Sequence, residues 1–494
     1  MYVLKRQKGY NGYRGDAVKR IEFIYGVVTG ALLLFIGIIS VYIEFQEKEI
    51  HEDIFVADEI KRENRAEIWV QPGKLSEEIS PINALTEGDI NLMTLCFETP
   101  KVEIQKQTDS VIQVLLSVQG NGITNTGEKI TADDLLFNLY LRFDPSMGEQ
   151  HNLDTLEIQG EKEYFYGTND VINAESELKK QCMKPTKELL LLYQEKVVRP
   201  ALKKELAWVK TIFEDPKYAG VTKNYQEPKD MFAHYFSYQT EYDAAKRTEE
   251  QVLEDIISQY GGNLSGLSKV TGKDYTKIQR AYTLASWCNA GKSVVNHITG
   301  IKKVDEKSVL LQVVSGKDSI EELKNMWILP VSQYGRKEKF DGIQSFGFEK
   351  GNTEKIIQKT SSKLMGSGYF YVREMDEKYI YLKRNSYALK GKNYVKSIKI
   401  LREEFDVQKD MVHALDEHQL DLAITKDSTA LNKKLSQKEG GTAYYVRKKR
   451  FRKGVESTCF IYRTSYLNTT TFPKQMNTSR DFFKNFGKIK VNLK

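Results

Sequence analysis

Cysteine is scarce in this chain, and its spacing excludes several kinds of site. The four cysteines, Cys96, Cys182, Cys288 and Cys459, are spread over 494 residues and form no C-x-x-C pair. They are too few for the disulfide framework of a small secreted domain, and they are not spaced as zinc ligands. We interpret them as buried or incidental thiols.

Motifs for catalysis and for cofactor binding are also missing. The sequence has no phosphate-binding loop, no G-x-G-x-x-G after a strand and no G-x-S-x-G turn. Of the six histidines only His413 and His418 lie close together, and a spacing of i,i+5 places them on different sides of a helix. Ser176 and Lys179 match S-x-x-K, but no K-T-G accompanies them. We therefore expect a protein that is not an enzyme and that holds no metal or other cofactor.

Proline and glycine, at 10 and 33 residues, are too few for a fibrous or linker-dominated chain. Aromatic residues are abundant, with 28 Tyr, 22 Phe and 4 Trp, which argues against wholesale disorder. A length of 494 residues is enough for roughly three domains with substantial cores. The composition predicts a folded globular body.

Charge is absent from one long segment near the start of the chain. Residues 23–43 read FIYGVVTGALLLFIGIISVYI, which is 21 positions without a charged side chain. As a helix this segment would span roughly 32 Å, about the thickness of the hydrocarbon core of a bilayer. A cleaved signal peptide is the competing interpretation, but its apolar region would be shorter and would end in a small-x-small site. We predict an uncleaved transmembrane helix.

The flanks of this segment predict its orientation. Residues 1–22 contain six basic and two acidic side chains, whereas residues 44–59 contain seven acidic side chains and one lysine. The positive-inside rule places the leader, residues 1–22, in the cytoplasm and everything after the span outside the cell. Residues 44–65 would form a charged stalk. Of the net charge of +7, the leader carries +4, so the exterior body is near neutral and we expect no nucleic-acid partner.

Helical and strand patterns alternate through the rest of the chain. Period-two patterns predict strands at 67–71, 111–118, 308–314, 369–374, 379–384 and 395–402. A helix is predicted at 89–97, and the Lys- and Glu-rich stretch at about 173–257 predicts a helical insertion that ends at Gly261-Gly262. The pattern as a whole predicts a mixed α/β fold without internal repeats.

The sequence ITADDLLFNLYLRFDP contains two adjacent carboxylates, Asp133 and Asp134. They could be a catalytic pair, but Thr131 precedes Asp134 by three residues and an apolar stripe follows, as at the start of a capped helix. We interpret the two aspartates as helix-capping residues. Pro145 would end the helix.

Several segments resemble, in order, the family-5 extracellular solute-binding proteins, which are the peptide and nickel receptors of ABC importers. The family's first strand and LNP loop resemble Ile68–Val70 and Ile82–Ala84, with Ala84 in place of the proline. The most specific stretch, DG-x-x-(L/I)-TA-x-DV-x-F, resembles Thr126–Phe137. The family's R-x-x-DP is similar to Arg142–Pro145.

Five further segments continue the resemblance toward the end of the chain. They are Gly300–Val309 (for I-x-x-V-D-D-x-T-V), Ile328–Pro330 (for I-L-P), Gly366–Phe370 (for G-T-G-P-Y), Arg384–Lys392 (for R-N-x-x-Y-x-x-G-K) and Ala414–Asp421 (for A-L-x-x-G-x-x-D). In the last of these, His418 replaces a glycine. Each match is weak alone, but their common order over most of the exterior body is specific.

The resemblance implies a periplasmic-binding-protein-like, type II fold, in which two lobes close over a ligand. It implies an extracellular receptor that binds a peptide or another small solute and delivers it to the permease subunits of an ABC transporter. We expect residues 66–450 to form the first lobe and residues 451–494 to begin a second lobe that is incomplete here. The chain alone would then bind solute weakly or not at all. The alternative is a membrane-anchored adaptor or sensor that no longer binds solute.

Two aromatic residues near the presumed cleft are candidate ligand-binding residues. Trp69 lies in the first predicted strand, and Tyr369 begins the strand after Gly366. Both could line the ligand site or simply pack against the sheet, and we favour packing. The acidic residue that pairs with a peptide α-amine in the family has no counterpart that we can identify in this chain.

Overall fold

A computed structural model provides the structure of the protein. It describes residues 66–76, 79–82, 86–119, 122–147, 156–236, 246–315, 320–387, 394–402, 410–416, 419–426, 442–451, 454–463, 467, 479–486 and 488–490. The predicted leader, transmembrane helix and stalk (residues 1–65) lie outside these residues. No helix within the described ranges has both the length and the apolar character needed to cross a membrane. Ile68–Asn492 forms one compact unit.

The fold is mixed α/β. The strands are β1 (Glu67–Gln71), β2 (Lys101–Gln107), β3 (Ile112–Ser117), β4 (Glu157–Ile158), β5 (Ile301–Lys303), β6 (Ser308–Ser315), β7 (Phe370–Met375), β8 (Tyr379–Arg384), β9 (Ser397–Leu401), β10 (Leu422–Lys426), β11 (Thr442–Phe451) and β12 (Gly454–Arg463). The first group of helices is α1 (Glu87–Cys96), α2 (Ala132–Arg142) and α3 (Glu161–Tyr166). A helical region follows with α4 (Val171–Met183), α5 (Lys187–Tyr193), α6 (Arg199–Glu214), α7 (Ala219–Thr222), α8 (Pro228–Tyr235), α9 (Glu249–Tyr260), α10 (Leu264–Thr271) and α11 (Thr276–Asn289). The last helices are α12 (Ile320–Leu323), α13 (Val331–Tyr334), α14 (Glu354–Ser362), α15 (Asp410–Asp416) and α16 (Ser479–Phe486).

The larger sheet has seven strands in the order β11-β12-β10-β1-β9-β8-β7. β1 and β10 are parallel, with Val70 opposite Leu422, whereas β7, β8 and β9 form an antiparallel meander. The buried carboxylate of Asp421 ties β1 to β10, because its Oδ2 accepts the Trp69 N–H at 2.8 Å while the Asp421 N–H donates to the Trp69 carbonyl at 2.9 Å. Strand pairing therefore joins the first described strand to one that lies late in the chain.

The smaller sheet has the order β2-β3-β6-β4, and β5 also pairs with β6. Val114 and Leu116 of β3 and Val309 and Leu311 of β6 alternate toward one face, where the apolar stripe of α2 packs on them. This alternation is what a half-buried antiparallel sheet requires. The resulting core includes Tyr140, whose ring stacks on that of Phe346.

The predicted cap of α2 is confirmed. The Thr131 N–H donates to Asp134 Oδ2 at 2.8 Å, and the Thr131 hydroxyl accepts from the Asp133 N–H, so these groups satisfy donors at the helix start. Asp134 does more than cap, because its Oδ1 also accepts the Val331 N–H at 2.8 Å. Burial raises the pKa of Asp134, and the hydrogen bonds from Val331 and Thr131 oppose that effect.

A second α2 side chain holds the segment Ile328–Pro330. Asn138 is fully buried, its Nδ2 donates to the Leu329 carbonyl at 2.8 Å, and its Oδ1 accepts the Leu329 N–H at 3.1 Å. The Asn138 side-chain amide therefore makes the two hydrogen bonds with the Leu329 backbone that a neighbouring β-strand would otherwise make. This pairing positions the I-L-P segment against the helix.

Helices α4 to α11 surround a hydrophobic core that is separate from the core of the smaller sheet. Its members include Tyr193, Leu202, Phe232, Ile256 and Leu267. Helical structure continues past Gly261-Gly262, where we placed the end of the insertion. Gly261, in the left-handed conformation, caps α9, and Asn263 then caps α10. The glycines end a helix and not the helical region, because a left-handed C-cap only redirects the chain.

Between α5 and α6, residues Gln194–Val198 form a π-helical turn, in which the Arg199 N–H donates to the Gln194 carbonyl. Pro200 accounts for this turn, because proline lacks an N–H and its ring would clash with the carbonyl four residues earlier. The widened turn contains Lys196, whose Nζ lies 2.5 Å from Glu354 Oε1 on α14. This ion pair is partly exposed and contributes little to stability.

The described part of residues 451–494 belongs to the same compact unit as β1. β12 pairs with both β10 and β11 in the larger sheet, and α16 packs on α1 through the buried side chains of Phe482, Phe483 and Phe486. The second lobe itself stays a prediction.

We predict that Asn138→Ala lowers the free energy of unfolding by about 2 to 4 kcal/mol, because it leaves the buried N–H and carbonyl of Leu329 without partners. Chemical denaturation of the purified protein measures this change. The matched control is Asn173→Ala, which removes an exposed amide on α4 and should change stability by less than about 0.5 kcal/mol. Equal effects of the two substitutions would contradict the role given to Asn138.

Candidate functional site

The C-terminal end of α1 receives two segments that are distant in sequence. The Cys96 carbonyl accepts the Gly368 N–H at 3.0 Å, and the Glu98 carbonyl accepts the Ile328 N–H at 2.9 Å. The Cys96 carbonyl belongs to the last residue of the helix and has no partner within it, so it is available for such a contact. The chain thereby brings the G-S-G-Y-F and I-L-P segments to one place.

The two glycines of the segment Gly366–Phe370 are required by this close approach. A β-carbon on Gly366 would collide with the Cys96 carbonyl and the Phe97 ring, and one on Gly368 would collide with the Leu95 carbonyl. Any side chain at either position would push the loop away from α1. The spacing of the motif thus has a packing explanation.

Asn385, from the segment that begins at Arg384, holds the other side of the loop. It is buried, and its Nδ2 donates to the Ile123 carbonyl at 2.8 Å and to the Gly368 carbonyl at 3.2 Å. Its own N–H donates to the Tyr369 carbonyl at 2.8 Å. The orientation of the Tyr369 backbone is therefore determined on both sides.

Glu98 is the most unusual side chain at this junction. Burial raises its pKa to about 7, and the neighbouring Ser367 hydroxyl and Lys484 ammonium only partly oppose that effect. Oε2 of Glu98 is buried without a hydrogen-bond partner among the described residues. Buried polar atoms without partners are rare in folded proteins. A carboxyl group that is half protonated near neutral pH marks a candidate functional site.

Tyr369, one of the two residues predicted from the sequence, belongs to this cluster. Burial raises the pKa of its phenol, the Glu98 carboxylate adds to the effect, and the Arg384 guanidinium opposes it. Arg384 lies 5.0 Å from the centroid of the Tyr394 ring and donates from Nη1 to the Val395 carbonyl at 2.9 Å. Burial lowers the pKa of Arg384. We refer to Glu98, Ser367, Tyr369, Arg384 and Tyr394 as the Glu98 cluster.

The Glu98 cluster combines acceptors, a cation and aromatic rings within one partly buried region. Glu98 Oε2 and Ser367 Oγ can accept hydrogen bonds from an N–H donor, and ionised Glu98 would favour an ammonium group. The Tyr369 and Tyr394 rings can pack on apolar groups. This combination suits recognition of a small polar solute.

Trp69, the other predicted residue, lies elsewhere on the larger sheet. The Lys399 ammonium lies 4.0 Å from the centroid of the Trp69 ring and 3.8 Å from that of Tyr379. These side chains share one face of β1, β9 and β8, and that face is only partly buried. Such cation–π contacts stabilise a sheet face by about 1 kcal/mol each and do not require a ligand.

The structure does not bring Trp69 and Tyr369 together. Tyr369 directly precedes β7, and β9 and β8 lie between β7 and β1 in the sheet. Three strand spacings amount to about 14 Å. The ligand-binding role of either residue stays a prediction.

A second buried cluster, centred on Lys350, has its hydrogen bonds satisfied. Lys350 Nζ donates to the Ser293 hydroxyl at 2.7 Å and to the Val295 carbonyl at 2.8 Å, and it lies over the ring of Tyr164. Asp144 accepts the Gly351 N–H at 2.9 Å. This cluster joins the loop at 350 to residues just before and just after the helical region. In the described parts of the chain no group of three His, Cys, Asp or Glu side chains could hold a metal ion.

Sequence reasoning did not identify Glu98 or Ser367. Glu98 follows the predicted helix at 89–97 as a single acidic residue, and nothing in its local pattern distinguishes it from a surface glutamate. The adjacent motif G-S-G was the only available signal, because it indicates a loop that approaches other backbone closely. The predicted thiols Cys96, Cys182 and Cys288 are free, and Cys96 is buried.

No protein-family model and no curated protein matches the chain. Solved structures that match at probability 1.00 include the ABC transporter substrate-binding protein CtaP of Listeria monocytogenes, with 10% identity, a TM-score of 0.35 and coverage of 77% of this chain and 48% of that one. NikZ of Campylobacter jejuni in complex with Ni(L-His) matches with 7% identity, a TM-score of 0.36 and coverage of 78% and 48%. OppA of Haemophilus influenzae in complex with RPPGFSPFR matches with 12% identity, a TM-score of 0.34 and coverage of 78% and 52%.

The chain spans about half the length of these solved structures. Sequence identities near 10% and TM-scores below 0.5 are too low to transfer a family or a function to this chain. A function can therefore be proposed only from the residues of the site itself.

We predict that Gly368→Ala destabilises the protein by about 1 to 3 kcal/mol or more, because the added methyl overlaps the backbone of α1. Thermal or chemical unfolding measures the loss. Gly220→Ala is the matched control, since a β-carbon there contacts nothing and alanine favours the helix α7 by up to about 1 kcal/mol. Gly368→Ala with wild-type stability would show that the loop does not press on α1.

We predict that Glu98→Gln removes a pH-dependent loss of stability. The pKa of Glu98 rises from 4.5 to about 7 on folding, so the folded protein holds the proton more tightly than the unfolded chain does. The contribution of Glu98 to the free energy of unfolding is then greatest below about pH 4.5 and falls as the pH rises through about 7. The total difference amounts to roughly 3 kcal/mol at most.

Urea titrations of the wild type and of Glu98→Gln across this pH range measure the difference, and the variant should gain relative stability as the pH rises. Glu338→Gln, at an exposed glutamate, is the control and should follow the wild-type curve. A difference between Glu98→Gln and the wild type that stays constant with pH would mean that Glu98 does not titrate in this range.

Proposed function

We propose that the chain is an extracellular solute-binding receptor that is held at the membrane by residues 23–43 and delivers an oligopeptide to the permease of an ABC importer. The observation that carries the proposal is the convergence of segments at the Glu98 cluster. Segments that resemble the family-5 proteins in sequence pack on one another there, through Gly368 on Cys96, Ile328 on Glu98 and Asn385 on Gly368.

The chemistry of the Glu98 cluster supports a peptide or another small solute with an N–H donor or ammonium group. Oε2 of Glu98 lacks a partner among the described residues, and a ligand donor would satisfy it. The ring of Tyr369 can pack on an apolar side chain. Peptide recognition commonly combines polar main-chain contacts with side-chain pockets in this way.

The alternative function is a membrane-anchored adaptor or sensor, and one observation favours it. The helical region carries two exposed aromatic side chains, Trp208 at 48% exposure and Tyr235 at 44%, whose ring centroids lie 6.3 Å apart. Exposed aromatic pairs are typical of protein–protein contacts. An adaptor would use this surface and leave the Glu98 cluster unoccupied.

Photocrosslinking distinguishes the two functions. It also detects weak binding, because a transient contact can be trapped as a covalent adduct. Short peptides that carry a photoreactive side chain would be irradiated with the full chain in lipid nanodiscs. If the chain is a receptor, mass spectrometry should locate the adducts at Tyr369 or Tyr394, and Glu98→Gln should lower their yield by at least about tenfold. Glu338→Gln is the matched control.

Crosslinking in native membranes tests the partner. A receptor should be recovered with ABC permease and ATPase subunits, and a chain with Trp208→Ala and Tyr235→Ala should still recover them. Absence of peptide adducts at the Glu98 cluster, together with partner recovery that depends on Trp208 and Tyr235, would contradict the receptor and favour the adaptor.

A further inference from the structure

Arg142 is an isolated positive charge in the interior of the protein. It is the last residue of α2, and only 4% of its surface is exposed. Burial lowers its pKa to about 10, and among the described residues no carboxylate opposes that effect. Removal of a charge from water is unfavourable unless an opposite charge and hydrogen bonds replace the water. The fold therefore encloses a guanidinium without the counter-charge that such a group needs.

The hydrogen bonds of Arg142 use only one of its three nitrogens. Nη1 donates to the Asn138 carbonyl at 3.3 Å and to Asn138 Oδ1 at 3.2 Å. Within the part of the chain that the structure describes, the Nε–H and both Nη2–H groups have no partner. Nε and Nη2 form an edge of the guanidinium from which two parallel N–H groups bind one carboxylate or phosphate. The edge that lacks partners is thus one that suits an oxyanion.

The contacts of Asn138 show where this guanidinium lies. Asn138 Oδ1 accepts from the Leu329 N–H at 3.1 Å as well as from Arg142, so the guanidinium lies beside the Leu329 backbone. Asn138 and Leu329 are both fully buried. The Asn138 amide also fixes the segment Ile328–Pro330 against α2. The guanidinium is therefore held between two elements whose relative position is already determined, as a binding site requires.

The buried carboxylates nearest to Arg142 in the sequence bind other groups. Asp144 accepts the Gly351 N–H at 2.9 Å, and Asp134 accepts the Val331 N–H at 2.8 Å. Neither carboxylate changes the pKa of Arg142. The counter-charge for Arg142 therefore does not come from these two residues.

The end of α2 supplies only part of the compensation. A helix dipole is equivalent to about half a negative charge at the C-terminal end, so a basic residue in the last turn is favourable there. This effect accounts for a basic residue at position 142, but an exposed lysine would serve equally well. It does not account for a guanidinium that is enclosed while its Nε–Nη2 edge lacks partners.

We propose that the Nε–Nη2 edge of Arg142 binds a small oxyanion, a phosphate or a carboxylate, between α2 and the segment Ile328–Pro330. The anion would accept two parallel N–H···O bonds and neutralise the buried charge. Inorganic phosphate and a small organic acid share the chemistry that this edge recognises. The inference does not depend on the Glu98 cluster or on solute delivery, so it stands or falls separately from the proposed function.

Urea unfolding of the full chain tests the proposal. Inorganic phosphate, sodium acetate and sodium chloride are compared over a range of concentrations, at equal ionic strength and pH. An anion that binds only the folded protein lowers the unfolding constant by the factor 1 + [L]/Kd, which is about elevenfold at ten times the Kd. We expect a saturable decrease with phosphate or acetate and a smaller one with chloride, which cannot accept two parallel bonds. The oxyanion that saturates at the lower concentration identifies the class of ligand.

Arg142→Met separates anion binding from a purely structural role. Replacement of a buried charge without a counter-charge by an apolar side chain is often neutral or stabilising. In chloride the variant should therefore unfold with a constant equal to or lower than that of the wild type, and neither oxyanion should have a saturable effect on it. The matched control is Arg373→Met, at an exposed arginine of β7, which should keep the wild-type response.

Two results would overturn the proposal. One is a wild-type unfolding constant that changes equally and without saturation in all three salts, which is a general salt effect and would leave water or another group of the chain as the partner of Arg142. The other is a saturable oxyanion effect that persists in Arg142→Met, which would place the anion elsewhere. If Arg142→Met does not fold, Arg142→Lys replaces it, because lysine keeps the charge without the fork and should raise the Kd for the oxyanion at least about tenfold.

Discussion

The carbonyls of Cys96 and Glu98, at and just beyond the C-terminal end of α1, are the constraint on which much of the structure depends. The Cys96 carbonyl cannot be satisfied within the helix, and it accepts from Gly368, whereas the Glu98 carbonyl accepts from Ile328; both donors lie far along the chain. β7 of the larger sheet begins two residues after Gly368, and β2 of the smaller sheet begins three residues after Glu98. One helix end therefore positions both sheets. It also explains why the loop requires glycines and why a carboxylate is enclosed beside it.

Buried charge in this fold is almost everywhere compensated by the backbone. Asp134 caps α2 and accepts from Val331, Asp144 accepts from Gly351, and Asp421 accepts from Trp69. Each of these carboxylates connects segments that are distant in sequence and is explained by that structural role. Oε2 of Glu98, like Oδ1 of Asp230, has no partner within the described residues. At Glu98 burial also raises the pKa to about 7, so a ligand donor or a proton can serve as the missing partner.

The larger sheet extends well beyond the Glu98 cluster. β7, which begins directly after Tyr369, lies at one edge, and β11 lies at the other. Six strand spacings place these two strands about 29 Å apart. The helical region has a hydrophobic core of its own.

Local sequence patterns were sufficient to predict several individual strands and a helix start. Alternating side chains predicted strands at 67–71 and 379–384 to the residue, and the spacing of Thr131 and Asp134 predicted a helix start that the hydrogen bonds confirm. These features depend on neighbours within a few residues, so the amino-acid sequence alone determines them. The continuation of the helices past Gly261 was missed, because a glycine cap has the same local form at the end of a helix as at the end of a domain.

The tertiary structure determined the burial and the neighbours of each side chain, which no local sequence pattern contains. Tyr369 was predicted as a candidate, but Glu98 and Ser367 were not, because the burial that raises the pKa of Glu98 comes from segments brought in by long-range packing. Trp69 and Tyr369 were expected near one cleft, and the strand order separates them. The position of β11 at the edge of the larger sheet likewise follows only from its pairing with β12. Residue type and short-range spacing determine the elements, whereas the environment of each charge depends on contacts between residues that are far apart along the chain.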